Sequence, residues 1–311
     1  MGYNLYGRVR KTMLEIKKLT KYYGEFKAVD NLNITLKDGE MYGLLGVNGA
    51  GKTTTFRMIM GLLEPSEGTI LLDGKKIDNK VTDKIGFLTE ERSLLLKLTV
   101  KEQLLFYGAL KSLDSTIILD RMAYWLEKFG IKEYENKKIK ELSKGNQQKV
   151  QFIAAVINEP KLLILDEPFS GLDPINVEMF KAAILEMKSK GTTILFSSHR
   201  MDHVELFCEN IVILLKGKTV LEGNLFDIKK SFRKKNIFIA GDIDVERLKC
   251  IKGVVDVVKE GLDYKVIIEE DYVAEEVFGS LNKESNVTKF VVEMPSLNEI
   301  FIEKVGEAYE K

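Results

Sequence analysis

The sequence predicts an α/β protein with a mainly parallel sheet, a helical block set into it and a small α+β domain behind. Three observations carry this. Short apolar segments bounded by Gly or Asp alternate with helical patterns through the first two thirds of the chain. From residue 92 to about 158 the pattern becomes helical instead of alternating. Past a basic stretch around Ser231–Lys235 the order changes to β, α, β, β, α, β and a last helix.

The strand-like segments are Leu14–Leu19, Asn33–Leu36, Glu40–Leu45 and Thr69–Leu72, then Lys161–Leu165, Thr192–Ser197 and Asn210–Leu215. The later three each follow a helical pattern, as parallel strands require, because the crossover must carry the chain back. In the helical block, Thr99-Val-Lys-Glu102 reads as a capping box, in which hydroxyl and carboxylate each satisfy a free amide. A second helix places Ile118, Met122, Trp125 and Phe129 on one face and ends at Gly130. Beyond residue 236, the segments Ile237–Ala240, Val245–Ile251, Val254–Val258, Tyr264–Glu269, Val273–Leu281 and Thr288–Glu293, with a helix from Ser296, have the order of a ferredoxin-like domain. Residues 1–12 are read as a disordered extension, residues 13–230 as the main domain and residues 236–311 as an accessory domain.

Lys and Arg number 47 against 47 Asp and Glu, so the electrostatic footprint of a non-specific nucleic-acid binder is lacking and no nucleic-acid partner is expected. The longest apolar runs, such as Leu162–Leu165 and Ile211–Leu215, have strand length and fall far short of a bilayer span. A membrane role therefore needs a second chain. Cys208 and Cys250 are expected to be reduced, buried thiols.

Gly46-Val-Asn-Gly-Ala-Gly51-Lys52-Thr53 fits the phosphate-loop pattern G-x-x-x-x-G-K-[ST] between a strand and a helix. Its glycines let successive amides, among them those of Asn48, Gly49 and Gly51, face inward toward phosphate, and the helix start at Lys52, Thr53 and Thr54 adds partial positive charge. Lys52 is the candidate for the β- and γ-phosphates and Thr53 for Mg²⁺. Leu162-Leu-Ile-Leu-Asp166-Glu167 ends an apolar strand in two carboxylates, one suited to the Mg²⁺ shell and one to polarising water. Alone, such a pair would read as solvated strand-end acids.

Three further segments separate this chain from GTPases, kinases and helicases. Leu142-Ser143-Lys144-Gly145-Asn146 opens a helix, Ser170-Gly-Leu-Asp173 follows Glu167, and Ser197-Ser198-His199 ends a strand. Singly, Ser143 and Asp173 read as helix caps and His199 as a surface imidazole. In this order and spacing, residues 14 to about 225 resemble ATP-binding cassette ATPases: an aromatic near Tyr23, phosphate loop, glutamine-type loop, signature, acidic strand, Ser-Gly-Leu-Asp loop and switch histidine.

The resemblance implies a phosphate-loop fold of the cassette type and two cassettes that sandwich two ATP head to tail. Ser143, Gly145 and Asn146 of one chain would contact the γ-phosphate held by Lys52 of the other. Tyr23, or failing it Tyr22, would stack on adenine, and His199 would hold the water beside Glu167. ATP and Mg²⁺ are the implied ligands; the implied partners are a second copy or a paralogous cassette and an integral-membrane permease, which would keep the chain at the inner face of the cell membrane. Two departures stand out. The signature reads Leu-Ser-Lys-Gly-Asn in place of Leu-Ser-Gly-Gly-Gln, and Phe87-Leu-Thr-Glu90 carries glutamate where glutamine is usual. Both resemble the bacterial drug- and sodium-export branch, which also has a small C-terminal domain. That domain could brace the dimer, sense a regulator or cover an apolar surface. The rival reading, a cassette acting on ribosomes or DNA, usually needs two fused cassettes or a long coiled coil, and neither is visible. A catalytically silent cassette is disfavoured because Lys52, Asp166, Glu167 and His199 are all present.

Overall fold

The apolar runs of the first part of the chain settle into two sheets in the computed structural model, which describes residues 11–77, 79–91, 93–281 and 286–309. Strands β1 (Thr12–Tyr23) and β2 (Phe26–Lys37) form a long antiparallel pair joined at Tyr23–Phe26. Then come β3 (Met41–Gly46), α1 (Lys52–Ile59), β4 (Glu67–Leu72), β5 (Lys75–Lys76), α2 (Asn79–Thr82) and β6 (Ile85–Leu88). The helical block contributes α3 (Val100–Leu110), α4 (Ser115–Lys128) and α5 (Lys144–Val156). After it follow β7 (Leu162–Asp166), α6 (Pro174–Ser189), β8 (Thr193–Ser198), α7 (Met201–Phe207), β9 (Asn210–Leu215) and β10 (Lys218–Asn224).

One sheet has the order β2-β1-β4-β5, and the other β10-β9-β3-β8-β7-β6. The pairs β9-β3, β3-β8, β8-β7 and β7-β6 are parallel. Every residue of β3, β7 and β8 is buried, as expected for strands covered on both faces. At one rim of the sheet the parallel strands β3, β7 and β8 end at Gly46, Asp166 and Ser198.

The Thr99 capping box forms in full, with Glu102 N–H donating to Thr99 Oγ1 and Thr99 N–H to the Glu102 carboxylate. Phe129 and Phe152 of the block pack against Phe180 of α6 in tilted and edge-to-face geometry at ring distances of 5.3 and 5.4 Å, contacts worth about 1 kcal/mol per pair beyond the area they bury.

The chain divides into two units between Glu222 and Gly223. The second unit holds α8 (Leu225–Ser231), β11 (Lys235–Ala240), α9 (Val245–Lys249), β12 (Val254–Glu260), β13 (Asp263–Ile268), α10 (Val273–Ser280), β14 (Lys289–Glu293) and α11 (Leu297–Tyr309). Its antiparallel sheet runs β12-β13-β11-β14, and Ile237, Ile239, Val266, Ile268, Val273 and Val277 form its core. Counted from its own first strand, that is the order 2-3-1-4 of a ferredoxin-like sheet.

Two expectations change. Lys11 and Thr12 belong to the first sheet, since Lys11 O accepts from Asp38 N–H, Lys11 Nζ pairs with Asp73 at 2.6 Å and Thr12 opens β1; residues 1–10 of the expected extension lie outside the described residues, as does Arg92 at the start of the helical block. Both cysteines are free, but only Cys208 is buried. Cys250 is exposed because it caps the short helix α9 on its solvent side. Among the described residues no helix is long and apolar enough to cross a membrane.

Candidate nucleotide site

The site is built at the carboxyl ends of β3, β7 and β8, the place where open α/β sheets take ligands. Gly51 is the last residue before α1. It has φ +107°, and a Cβ there would stand 2.6 Å from Ala28 O, so only glycine lets the loop close against β2. The turn leaves the first amides of α1, at Lys52, Thr53 and Thr54, without helical partners and directed to the rim. Lys52 is buried, with Nζ donating to Gly46 O at 2.6 Å and reaching Val47 O at 3.4 Å.

The two strand-end acids are held differently. Asp166 accepts from Ser197 Oγ at 2.7 Å and from Thr53 Oγ1 at 3.2 Å. Burial raises its carboxyl above the ordinary range, opposed by Ser197, Thr53 and Lys52. Glu167 has φ +49°, which for a residue with a side chain costs on the order of 1 kcal/mol and aims the carboxylate away from its strand. Its Oε2 faces Ser198 Oγ at 3.4 Å and His199 Nδ1 at 2.9 Å. Its Oε1 is buried with no hydrogen-bond partner among the described residues.

A cavity of 400 Å³ brings together Tyr23, Phe26, residues 48–54, Glu90, Asp166 and Glu167. Burial, then Asp166 and Glu167, raise the Glu90 carboxyl, so three acids crowd one pocket wall. That crowding, with the Thr53 hydroxyl beside Asp166 and the orphaned Glu167 oxygen, fits a hard cation with oxygen ligands. Among the described residues no group of three His, Cys, Asp or Glu side chains could hold a metal alone. Such a set suits Mg²⁺, which takes one or two protein oxygens and fills its octahedron with phosphate and water.

Ser143, Gly145, Asn146, Asp173 and His199 do not line this cavity. Ser143 caps α5, its Oγ accepting from Asn146 N–H at 3.3 Å, and Asp173 caps α6, accepting from Asn176 N–H at 2.9 Å. The two caps adjoin: a Cβ on Gly145 would lie 3.4 Å from Asn176 Nδ2, which itself donates to Asp173 at 2.5 Å.

Some contributors escaped the sequence reading. Phe26 shares the cavity with Tyr23, and Ser197 bridges the two acids by donating to Asp166 and accepting from Glu167 N–H at 3.2 Å. Gln148 Nε2 donates to Pro168 O at 2.7 Å and ties α5 to the segment after Glu167. Ser197 was visible as the neighbour of Ser198 and His199; for Phe26 and Gln148 only the folded register reveals the partner.

A phosphate loop, paired strand-end acids and a capped signature helix on one sheet rim define a cassette ATPase. Residues 29–170 match the family described as ABC transporter, and residues 223–305 match the ATP-binding protein DrrA1-3-like, C-terminal domain. The chain is 50% identical over 298 residues, 96% of its length and 100% of the relative's, to the uncharacterized ABC transporter ATP-binding protein YhaQ of Bacillus subtilis. It is 31% identical over 307 residues, 94% and 98% of the two chains, to the linearmycin resistance ATP-binding protein LnrL of the same species. Among solved structures it resembles an ATP-binding subunit of an ABC transporter, at 33% identity and TM-score 0.68 over 71% of this chain and 93% of that one. It also resembles MJ0796, a bacterial ABC transporter cassette solved as a dimer, at 28% identity and TM-score 0.64 over 68% and 99%. The chain belongs to the ABC transporter ATP-binding proteins: it binds and hydrolyses ATP, and that hydrolysis powers transport.

Proposed function

We infer that this chain drives export through a separate integral-membrane permease, as one of two cassettes that sandwich two ATP. The observation that carries the chemistry is the Glu167 carboxylate, with one oxygen engaged by Ser198 and His199 and the other buried without a hydrogen-bond partner among the described residues. An oxygen in that state accepts a hydrogen bond from the attacking water and polarises it in line with the γ-phosphate. His199 keeps Glu167 aimed and contacts the γ-phosphate. Lys52 and the amides of residues 48–54 bind the phosphates, and Tyr23 stacks on adenine.

Mg²⁺, when bound, neutralises charge between the β- and γ-phosphates. Thr53 and Asp166 are the residues that would hold it, and Glu90 would reach it through water. Ser143, Gly145 and Asn146 serve the partner cassette's nucleotide, a reading supported by their not lining this chain's own cavity. Asp173, capping α6 beside the signature, carries the Ser-Gly-Leu-Asp loop to the same interface.

The permease docks on the helical block. Leu95, Leu96, Phe106 and Leu110 are exposed there, and a cleft of 150 Å³ lined by Phe87, Leu94, Tyr107 and Ala155 opens beside them. This attachment holds the chain at the inner face of the cell membrane. Residues 13–230 are read as the motor, residues 92–158 as its helical subdomain and residues 236–311 as an accessory domain. The relative whose name speaks of linearmycin resistance supports export over import. The test is copurification with the permease followed by vesicle flux: ATP-dependent cargo movement out of the cytoplasmic side is expected, and uptake would overturn the direction.

A further inference from the structure

Gln151 connects two places that the proposed function assigns to different nucleotides. It lies on α5, is buried, and its Nε2 donates to Thr89 Oγ1 at 2.7 Å and Thr89 O at 3.1 Å and reaches Glu91 O at 3.3 Å. The Thr89 hydroxyl in turn donates to Glu91 O at 2.5 Å. Acceptors on both sides of Glu90 thus converge on one side-chain amide, whose two protons serve three oxygens. The helix that carries this amide begins at Ser143, eight residues and a little over two turns earlier, about 12 Å along the axis.

An α-helix of that length moves as a rod, and α5 is pinned at intermediate points. Gln148 donates to Pro168 O and Lys149 Nζ to Phe129 O at 3.1 Å. A tilt or shift at its first turn therefore reaches Gln151.

We propose that Gln151 is a positioning residue that couples the two nucleotide sites of the dimer, by holding the Glu90 loop of one site to the helix whose N-terminus grips the other site's phosphate. This rests on the dimeric reading above. When phosphate seats at Ser143 and Gly145, α5 settles and Gln151 draws residues 89–91 into place, so Glu90 takes its working position only when the neighbouring nucleotide is also gripped. Without the amide, Thr89 and Glu91 exchange their partner for water and each site works without reference to the other.

The test measures steady-state ATP hydrolysis against MgATP concentration for the full chain and for Gln151→Glu and Gln151→Met, with equilibrium nucleotide binding and melting temperature as controls. Glutamate keeps the size of glutamine but donates nothing, so it rescues a packing role and fails in a positioning one. The wild type should show a Hill coefficient above about 1.5 and both variants about 1, with turnover down about fivefold or more and nucleotide affinity within about twofold. Thr89→Val, which removes an acceptor from the loop side, should lower the Hill coefficient in the same direction and covers the case in which a Gln151 variant does not fold. A non-cooperative wild type, or wild-type cooperativity in Gln151→Glu, would overturn the coupling. The dimeric reading fails separately, if Glu167→Gln stays monomeric in MgATP.

Discussion

Lys52 Nζ stands 4.0 Å from Glu167 Oε1, near enough to feel its charge and too far for a hydrogen bond. Both groups are buried, so each offsets the other's charge while neither is used up in a hydrogen bond to the other. In the proposed mechanism Lys52 binds phosphate and Glu167 polarises the attacking water. Substituting them should therefore have different kinetic consequences.

Glu167→Gln keeps the shape and the Ser198 contact but loses the basic oxygen. ATP binding should survive, hydrolysis should fall by about a thousandfold, and a nucleotide-bound dimer should accumulate because the sandwich opens only after cleavage. Phosphate release and sedimentation in MgATP check this. Near wild-type turnover would show that Glu167 does not polarise the water.

The shared-site arrangement has its own signature. Ser143→Arg and Lys52→Ala should each be inactive, the first also losing about 1 kcal/mol of stability with its helix cap. Mixed in equal amounts with subunit exchange, half the dimers pair one of each, and each such dimer has one site with wild-type Lys52 and wild-type Ser143. About a quarter of wild-type activity should return if one site fires alone. Full-rate hydrolysis by a monomer, independent of protein concentration, would rule the arrangement out.

How much of this was readable beforehand follows from how local each feature is. Lys52, Thr53, Asp166 and Glu167 sit in contiguous stretches whose chemistry needs neighbours in sequence, so their pattern survives without the fold. The second unit was readable in its element order because each strand and helix there is short and strongly patterned. Gln151 was not: its partners Thr89 and Glu91 are 62 and 60 residues away and meet it only because α5 packs beside the loop leaving β6. Phe26 was hidden for the same reason, since the Tyr23–Phe26 turn decides which aromatic faces the cavity. Cys250 misled because a cysteine in a helical pattern usually faces a core, whereas α9 ends at Lys249 and buries Leu248, leaving Cys250 as its exposed C-cap.

Glu90 lines the cavity with Asp166 and Glu167, and its carboxyl is raised first by burial and then by those two acids. Glu90→Ala should lower basal hydrolysis of the isolated chain about as much as the Gln151 variants do, and on top of that reduce transport per ATP about tenfold or more, because the loop no longer follows the γ-phosphate. Glu90→Gln should preserve transport if contact with water is the whole role. Comparing ATP turnover and cargo flux in the same vesicles decides this. Wild-type transport per ATP in Glu90→Ala would leave the loop as mere surface.

The second unit carries an acid-sensitive anchor at Glu299. Burial works against its charge, but Lys265 Nζ at 2.7 Å, the Ser296 N–H at 2.7 Å, the Ser296 hydroxyl at 2.8 Å and Asn236 Nδ2 at 2.9 Å all donate to it, and together they hold its carboxyl at about 2. Because the folded value lies below the unfolded one, the stability this contributes is fully present above the ordinary glutamate range. It is lost as pH falls from about 4.5 toward about 2. Allowing for solvent screening of a partly exposed group, the contribution at pH 7 is about 1–2 kcal/mol. Glu299→Gln should therefore lower the stability of the second unit at pH 7, while the difference from wild type should shrink as pH drops below about 4. Amide hydrogen exchange on β11 and β13, which supply Asn236 and Lys265, reads this in the full chain. A difference that stays constant from pH 7 to pH 3 would assign the loss to packing around α11 and remove the charge from the account.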